Sequence, residues 1–297
     1  MKKIFTASTL KMIAIATMVI DHISWGFFDF YSWQGYLLHI IGRFTIPIMC
    51  FFLAEGYRKT RNLRRYLLRM GFFALVTVLP FYLFFHEEYD YRQNIIFDYL
   101  LALLLLTVID SKKLNRFVKV LLGTLLVLTS MSIGGWPLLP MAYVLIFYYG
   151  KTVKQQAIWF CSVTVGLVVL LGGTIFLNTL FNFYPRYNSW VWWDKSYFLG
   201  FMLALPLIFR YNGKKGDYPF GRYFFFLFYP CHFLVLYGIK IFTGLYGNYW
   251  LYVGLQVLCI LLMLGFAVRV MLEKSSKAQN ACVLFSVGTI VYAVAFF

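Results

Sequence analysis

A bundle of helices crossing a lipid bilayer is the fold this sequence predicts, and three observations predict it. Charged residues occupy 13% of 297 positions, about half the roughly 25% usual in soluble domains. Hydrophobic residues make up 62% and gather in many long runs, and a helical crossing takes about 20 such residues. The basic residues fall mostly in short loops between those runs. The fold class is therefore all-α, a polytopic integral membrane helical bundle, with 1–297 forming a single domain.

Charge and turn residues bound eleven candidate spans, at 10–28, 36–57, 67–85, 93–110, 117–132, 137–150, 156–181, 193–209, 223–243, 250–271 and 280–297. The run at 137–150 is short for a crossing, so it is either tilted or re-entrant and the count is ten or eleven. With the N-terminus in the cytoplasm, eleven spans put twenty-two Lys and Arg residues inside and three (Arg92, Arg186, Lys195) outside. Such asymmetry is what the positive-inside rule requires, and dropping one span would scramble it. The Met-Lys-Lys start mimics a signal peptide, but Asp21 and His22 follow with no small-residue cleavage site, so the first helix is expected to be retained.

Several function classes fall away. A net charge of +16 could suit nucleic acid, but its basic residues border spans, where they set topology and meet anionic lipid headgroups. The five cysteines lie in apolar stretches without a CxxC pair, which fits packing rather than a disulfide or metal framework. No metal site is expected.

The first two spans depart from simple membrane anchors. They carry Lys11, Asp21, His22, Arg43 and Glu55, and an ionisable group at the helix centre costs roughly 2.5–3.5 kcal/mol on insertion scales. Lys11 and His22 are eleven residues apart, which brings them to one helix face about 16 Å from each other. A cation at the cytoplasmic mouth and a base at depth suit a ligand with an anionic head and a long thin arm. Asp21 points about 100° away from His22; it either shares their cavity or orients a neighbouring helix through Arg43, which lies at similar depth on the second span. Glu55 falls near the inner border, followed by Arg58, Lys59, Arg61, Asn62, Arg64 and Arg65, an ordinary inside loop or a nucleotide-phosphate platform.

Farther along, RYNGKKGDYPFGR (210–222) brackets Lys214 and Lys215 with glycines and ends at Arg222. It reads equally as a topology-setting loop or as one whose amides and ammonium groups approach a phosphate. The ninth span places Pro230 and His232 near mid-membrane, where proline kinks the helix and frees a carbonyl. His39 and His86 are expected at the outer interface, and Asp98 is a weaker candidate. The external loops are aromatic, as interface anchors are; the one at 182–195 is also rich enough in Tyr, Trp and Asn to line an acceptor site.

The segments LKMIAIATMVIDHI, IIGRFTIPIMCFFLAEGYRKTRNLRRYLLR, YNGKKG and FFFLFYPCHFLVLY together resemble the TraX family over most of the chain. That family is associated with N-terminal acetylation of conjugative pilin and resembles a wider superfamily of transmembrane acyltransferases, including type-three acyltransferases with a basic-x10-His motif like Lys11 and His22. The resemblance implies an acetyltransferase of the bacterial plasma (inner) membrane, taking acetyl from cytoplasmic acetyl-CoA to an extracytoplasmic peptide or glycan acceptor. On this reading His22 is the general base, with Asp21 and Arg43 holding geometry or stabilising an oxyanion. Lys11, Glu55, Arg61, Asn62, Arg65, Lys214, Lys215, Arg222 and His232 are the candidates for binding acetyl-CoA. Direct transfer and a covalent acetyl-histidine both remain open. The rival reading, a proton-coupled transporter or flippase on the same charges, predicts repeat symmetry, which the sequence lacks.

Overall fold

The computed structural model describes residues 3–85, 92–181, 195–217 and 224–246. The expected spans at 250–271 and 280–297, the external loops at 86–91 and 182–194, His86 and Arg222 lie outside the described residues. Within them the protein is a helical membrane protein with no strand, and one isolated bridge joins Phe5 to Tyr211. Five helices are long and apolar enough to cross a membrane, counting the second and third helices below as one broken span.

The first helix, α1 (Ala7–Phe27), starts at Thr6, whose hydroxyl caps the amide of Thr9. Its other first-turn amides need partners too, and the glycine-lysine loop supplies them. Ala7 N–H donates to the carbonyl of Lys214 at 2.9 Å and Ser8 N–H to that of Lys215 at 3.0 Å. Gly213 and Gly216 make this turn possible with φ of +79° and +71°, a region that costs glycine little. The loop expected to offer amides to a ligand therefore offers carbonyls to α1.

The second expected span, 36–57, is not one straight helix. It divides into α2 (Trp33–Gly42) and α3 (Thr45–Lys59), with a turn at Arg43 and Phe44. Pro47 is the reason: it has no N–H to return to the Arg43 carbonyl, and its ring clashes there. Beyond it come α4 (Leu63–Phe85), α5 (Ile95–Asp110), α6 (Arg116–Ile133), α7 (Leu139–Tyr149) and α8 (Val153–Phe181). The run expected at 193–209 is a 3-10 helix, Ser196–Ala204, with a single α-turn, α9 (Leu205–Ile208), and the last described helix is α10 (Phe224–Tyr246). α7 is short, as the sequence suggested.

Around the centre, α1 packs against α2, α3 and α10, α3 against α7, and α5 against α4, α6 and α7. On α4, Leu68, Phe72, Leu75 and Leu79 form an exposed apolar stripe at helical spacing. Much of α6 and α8 is likewise exposed and apolar. Such surface suits lipid, since acyl chains leave no hydrophobic reason to hide it.

The α1–α2 contact is unusually close at Gly42, where a Cβ would collide with the side chain of Asp21. Gly42→Val is expected to destabilise the protein by about 1–3 kcal/mol, read as a lowered unfolding midpoint in detergent micelles. An unchanged midpoint would show that the two helices can separate without loss.

Candidate functional site

One side of α1 lines two cavities in turn. Lys11, Ala14, Ile15 and Met18 line an inner cavity of about 420 Å³, and Met18, Asp21 and His22 line an outer one of about 400 Å³. The two cavities share Met18, Thr45, Ile95, Tyr99 and Tyr229, which form a waist between them. Thr45 is tied to α1 there, its hydroxyl 2.9 Å from the carbonyl of Ala14 and 3.0 Å from Thr17 Oγ1. Tyr99 is buried, and its hydroxyl has no hydrogen-bond partner among the described residues. Small polar groups between helices, fully or nearly paired, are what an apolar environment permits.

The inner cavity has a basic mouth formed by Lys11, Lys59, Arg69 and Lys215, beside Tyr66 and Thr60. Of the residues expected to form a phosphate platform, Lys11, Lys59 and Lys215 line it. Glu55 instead pairs with Lys59 at 2.6 Å and Arg58 at 3.4 Å. Asn62 caps α4 by accepting from the amide of Arg65 at 2.9 Å, while Arg61, Arg65 and Lys214 are exposed and line neither cavity. Arg58 is taken by the end of α7, donating to the carbonyls of Phe147 and Tyr148. Sequence reasoning missed Arg69, whose signal was a basic residue inside an otherwise apolar helix, one turn beyond Arg65.

In the outer cavity Asp21 is the hub. Its Oδ1 accepts from Arg43 Nη2 at 2.5 Å and lies 2.8 Å from His39 Nδ1. Arg43 also donates through Nε to the carbonyl of His39 at 3.1 Å, and its guanidinium lies over the rings of Trp136 and Tyr197 at 4.7 and 5.2 Å. Arg43 is 2% exposed and His39 fully buried. His39 is therefore not interfacial, as its position near the span end suggested; the carboxylate of Asp21 draws it inward. Of the two roles left open for Asp21, it fills both, lining the cavity and orienting α2 through Arg43.

Ser24, His39 and Asp21 follow one another in the order of a hydrolase triad, with Ser24 Oγ 3.3 Å from His39 Nε2. Ser24 lines neither cavity, is 1% exposed, and donates to the carbonyl of Gly35 at 3.1 Å. The Ser24–His39–Asp21 series ties α1 to α2. Asp98 is structural in the same sense: its Oδ2 accepts from the amide of Trp136 at 2.9 Å and so fixes the loop that carries Trp136 over Arg43.

His22 lies one residue beyond Asp21 and faces α10. Its Nδ1 lies 2.8 Å from Nε2 of His232, and the two ring planes are 21° apart with centroids at 5.0 Å. Phe233, Phe84 and Phe85 close around the imidazole. His232 is thus not on the route from the basic mouth but behind His22. A base held by a second group, in an aromatic wall and open to a cavity, has the arrangement of a proton acceptor in group transfer.

Removing one partner of a buried ion pair leaves an uncompensated charge, at about 3–5 kcal/mol. Arg43→Leu is expected to destabilise by that amount, and adding Asp21→Leu should recover much of it. Additive losses in equilibrium unfolding would show that the two side chains are not coupled.

Comparison with known proteins identifies a family. The model of the family described as TraX protein matches residues 6–240, a stretch that contains both cavities. A probable fimbrial assembly protein FimC, serogroup H1, of Dichelobacter nodosus is 32% identical over 253 residues, covering 80% of this chain and 97% of that protein. No solved structure is significantly similar. The residues that build the two cavities lie within the matched stretch, and the chain belongs to the TraX family.

Proposed function

We propose that the protein is an integral membrane acetyltransferase, moving an acetyl group from cytoplasmic acetyl-CoA to an amine or hydroxyl of an extracytoplasmic acceptor. The observation that carries this reading is the pair of abutting cavities, basic at the inner mouth and ending at His22. The CoA phosphates would be held by Lys11, Lys59, Arg69 and Lys215, cations around one opening. The thin pantetheine arm would follow the α1 stripe through the waist, where the hydroxyl of Tyr99 is available to the thioester carbonyl.

In the reaction, the acceptor's nitrogen or oxygen bonds to the acetyl carbon, the carbon–sulfur bond breaks, and His22 takes the acceptor's proton and passes it to the departing thiolate. Asp21 and Arg43 hold the helices that present His22. Arg43 is already committed to Asp21 and to the His39 carbonyl, which favours a positioning role over an oxyanion one. An aromatic shell around His22 keeps bulk water from the thioester, a condition for transfer over hydrolysis. The acceptor would be a peptide N-terminus or an envelope glycan at the outer face of a bacterial plasma membrane. The name of the Dichelobacter relative, a probable fimbrial assembly protein, supports an envelope acceptor of the peptide kind.

The test is purified protein in proteoliposomes with acetyl-labelled acetyl-CoA, scoring label released or transferred. His22→Ala is expected to abolish turnover with acetyl-CoA still bound, whereas Arg69→Ala with Lys215→Ala should raise KM about tenfold or more with kcat little changed. Full turnover in His22→Ala would remove that residue from the chemistry. Acceptor movement without consumption of acetyl-CoA would replace the transferase with a transporter.

A further inference from the structure

The contact between His22 and His232 joins two groups that could each donate or accept, so the direction of the hydrogen bond is not given by distance alone. It is given by the far side of His232. Nδ1 of that ring lies 3.3 Å from the carbonyl of Phe228, one turn earlier in α10. A carbonyl only accepts, so Nδ1 of His232 carries a hydrogen. A neutral imidazole has a single N–H, which leaves Nε2 of His232 a lone pair. The hydrogen in the 2.8 Å contact therefore belongs to Nδ1 of His22, and the lone pair of His22 falls on Nε2. Histidine free in water prefers the opposite tautomer, so the protein reverses an intrinsic preference.

We propose that His232 is a positioning residue which holds His22 as the Nδ1–H tautomer, leaving Nε2 of His22 as the proton acceptor on the side of the outer cavity. Four observations agree. His22 lines the outer cavity. Its hydrogen bond to His232 is made through Nδ1, the other ring nitrogen. His232 is 6% exposed and its ring lies parallel to that of Phe228, with an interplanar angle of 4°, so it cannot swing away easily. The one carboxylate beside His22, that of Asp21, is engaged by Arg43 and His39. A carboxylate in the place of His232 would orient the ring equally well, but it would bury a second anion at membrane depth. A neutral imidazole gives orientation without that cost. When Nε2 of His22 takes a proton, Nδ1–H becomes the donor of a charge-assisted bond to Nε2 of His232, a bond stronger than the neutral one.

The tautomer stands on geometry alone, and its catalytic consequence rests on the acyl-transfer reading; two measurements keep them apart. The first is nitrogen NMR of histidine-labelled protein, practicable with four histidines in the chain, His22 being assigned by loss of its signals in His22→Gln. The expected spectrum has hydrogen on Nδ1 of His22 and none on Nε2. In His232→Leu the ring should revert toward Nε2–H, while His232→Gln, whose amide oxygen can reach the position of the lost nitrogen, should keep it. The second is turnover: kcat should fall about 10²-fold or more in His232→Leu, the lower range for loss of general base function, with KM for acetyl-CoA within about twofold. His232→Gln should recover most of that loss, which simple damage to packing would not allow. Hydrogen on Nε2 of His22 in the parent protein, or an unchanged tautomer in His232→Leu, would overturn the proposal. The expected tautomer in a protein that never consumes acetyl-CoA would overturn acyl transfer instead and leave His232 as the residue that orients His22.

Discussion

The structure depends on a carboxylate buried in a membrane. Asp21 is a group that insertion energetics would exclude, and it is tolerated because Arg43 and His39 converge on one of its oxygens. Each partner is anchored in turn. Arg43 bonds the carbonyl of His39, and its guanidinium is sandwiched by aromatic rings from the α6–α7 loop and the 3-10 helix. One charge thus ties together α1, α2, a loop and a helical segment more than a hundred and fifty residues away in sequence. Any docking of α1 on α2 that breaks the pair leaves an uncompensated buried charge, and that cost disfavours it.

That interaction also sets the direction of the next residue. With Asp21 turned to α2, His22 must point about 100° round the helix, and this is where α10 brings His232. The azimuth of the imidazole is thus an indirect product of an ion pair in which it takes no part. The two faces of α1 have divided work: one is a charge lock, the other a stripe from Lys11 to His22 lining the cavities. They are compatible on one helix because each uses a narrow arc.

How much of this was legible in the sequence follows from what each signal depends on. The membrane bundle, the common face of Lys11 and His22 and the pairing of Asp21 with Arg43 rest on hydropathy and helical period, which are local. The break at Arg43 was also written locally, in Pro47, but a run of apolar residues on both sides concealed it. What could not be read was partnership across distance. Nothing in the sequence around His39 says that it turns inward to Asp21 rather than outward to the interface. Lys215 lines the mouth and Lys214 does not, a difference set by the φ of Gly216 and by the start of α1 against which the loop docks. His232 looked like a ligand contact because proline and histidine in a span suggest a polar break; that it backs another histidine is a fact of helix packing. Arg61 and Arg65 line neither cavity for a related reason, as neighbours in a basic sequence need not border one opening in space.

The irregular backbone of the protein is itself informative. In a bilayer, peptide groups outside a regular helix persist only where protein or a water-filled cavity surrounds them. Here the turn at Arg43, the loop 134–138 and the 3-10 helix at Ser196–Ala204 all supply walls of the outer cavity. Each is held by its own device: Pro47 stops the second span, the carboxylate of Asp98 fixes the amide of Trp136, and Gly200 lets the thin 3-10 helix approach the carbonyl of Ile40. Nothing comparable occurs on the lipid-facing helices α6 and α8, which run unbroken. These departures from helix therefore shape the outer cavity, and they coincide with His22 and the Asp21 lock.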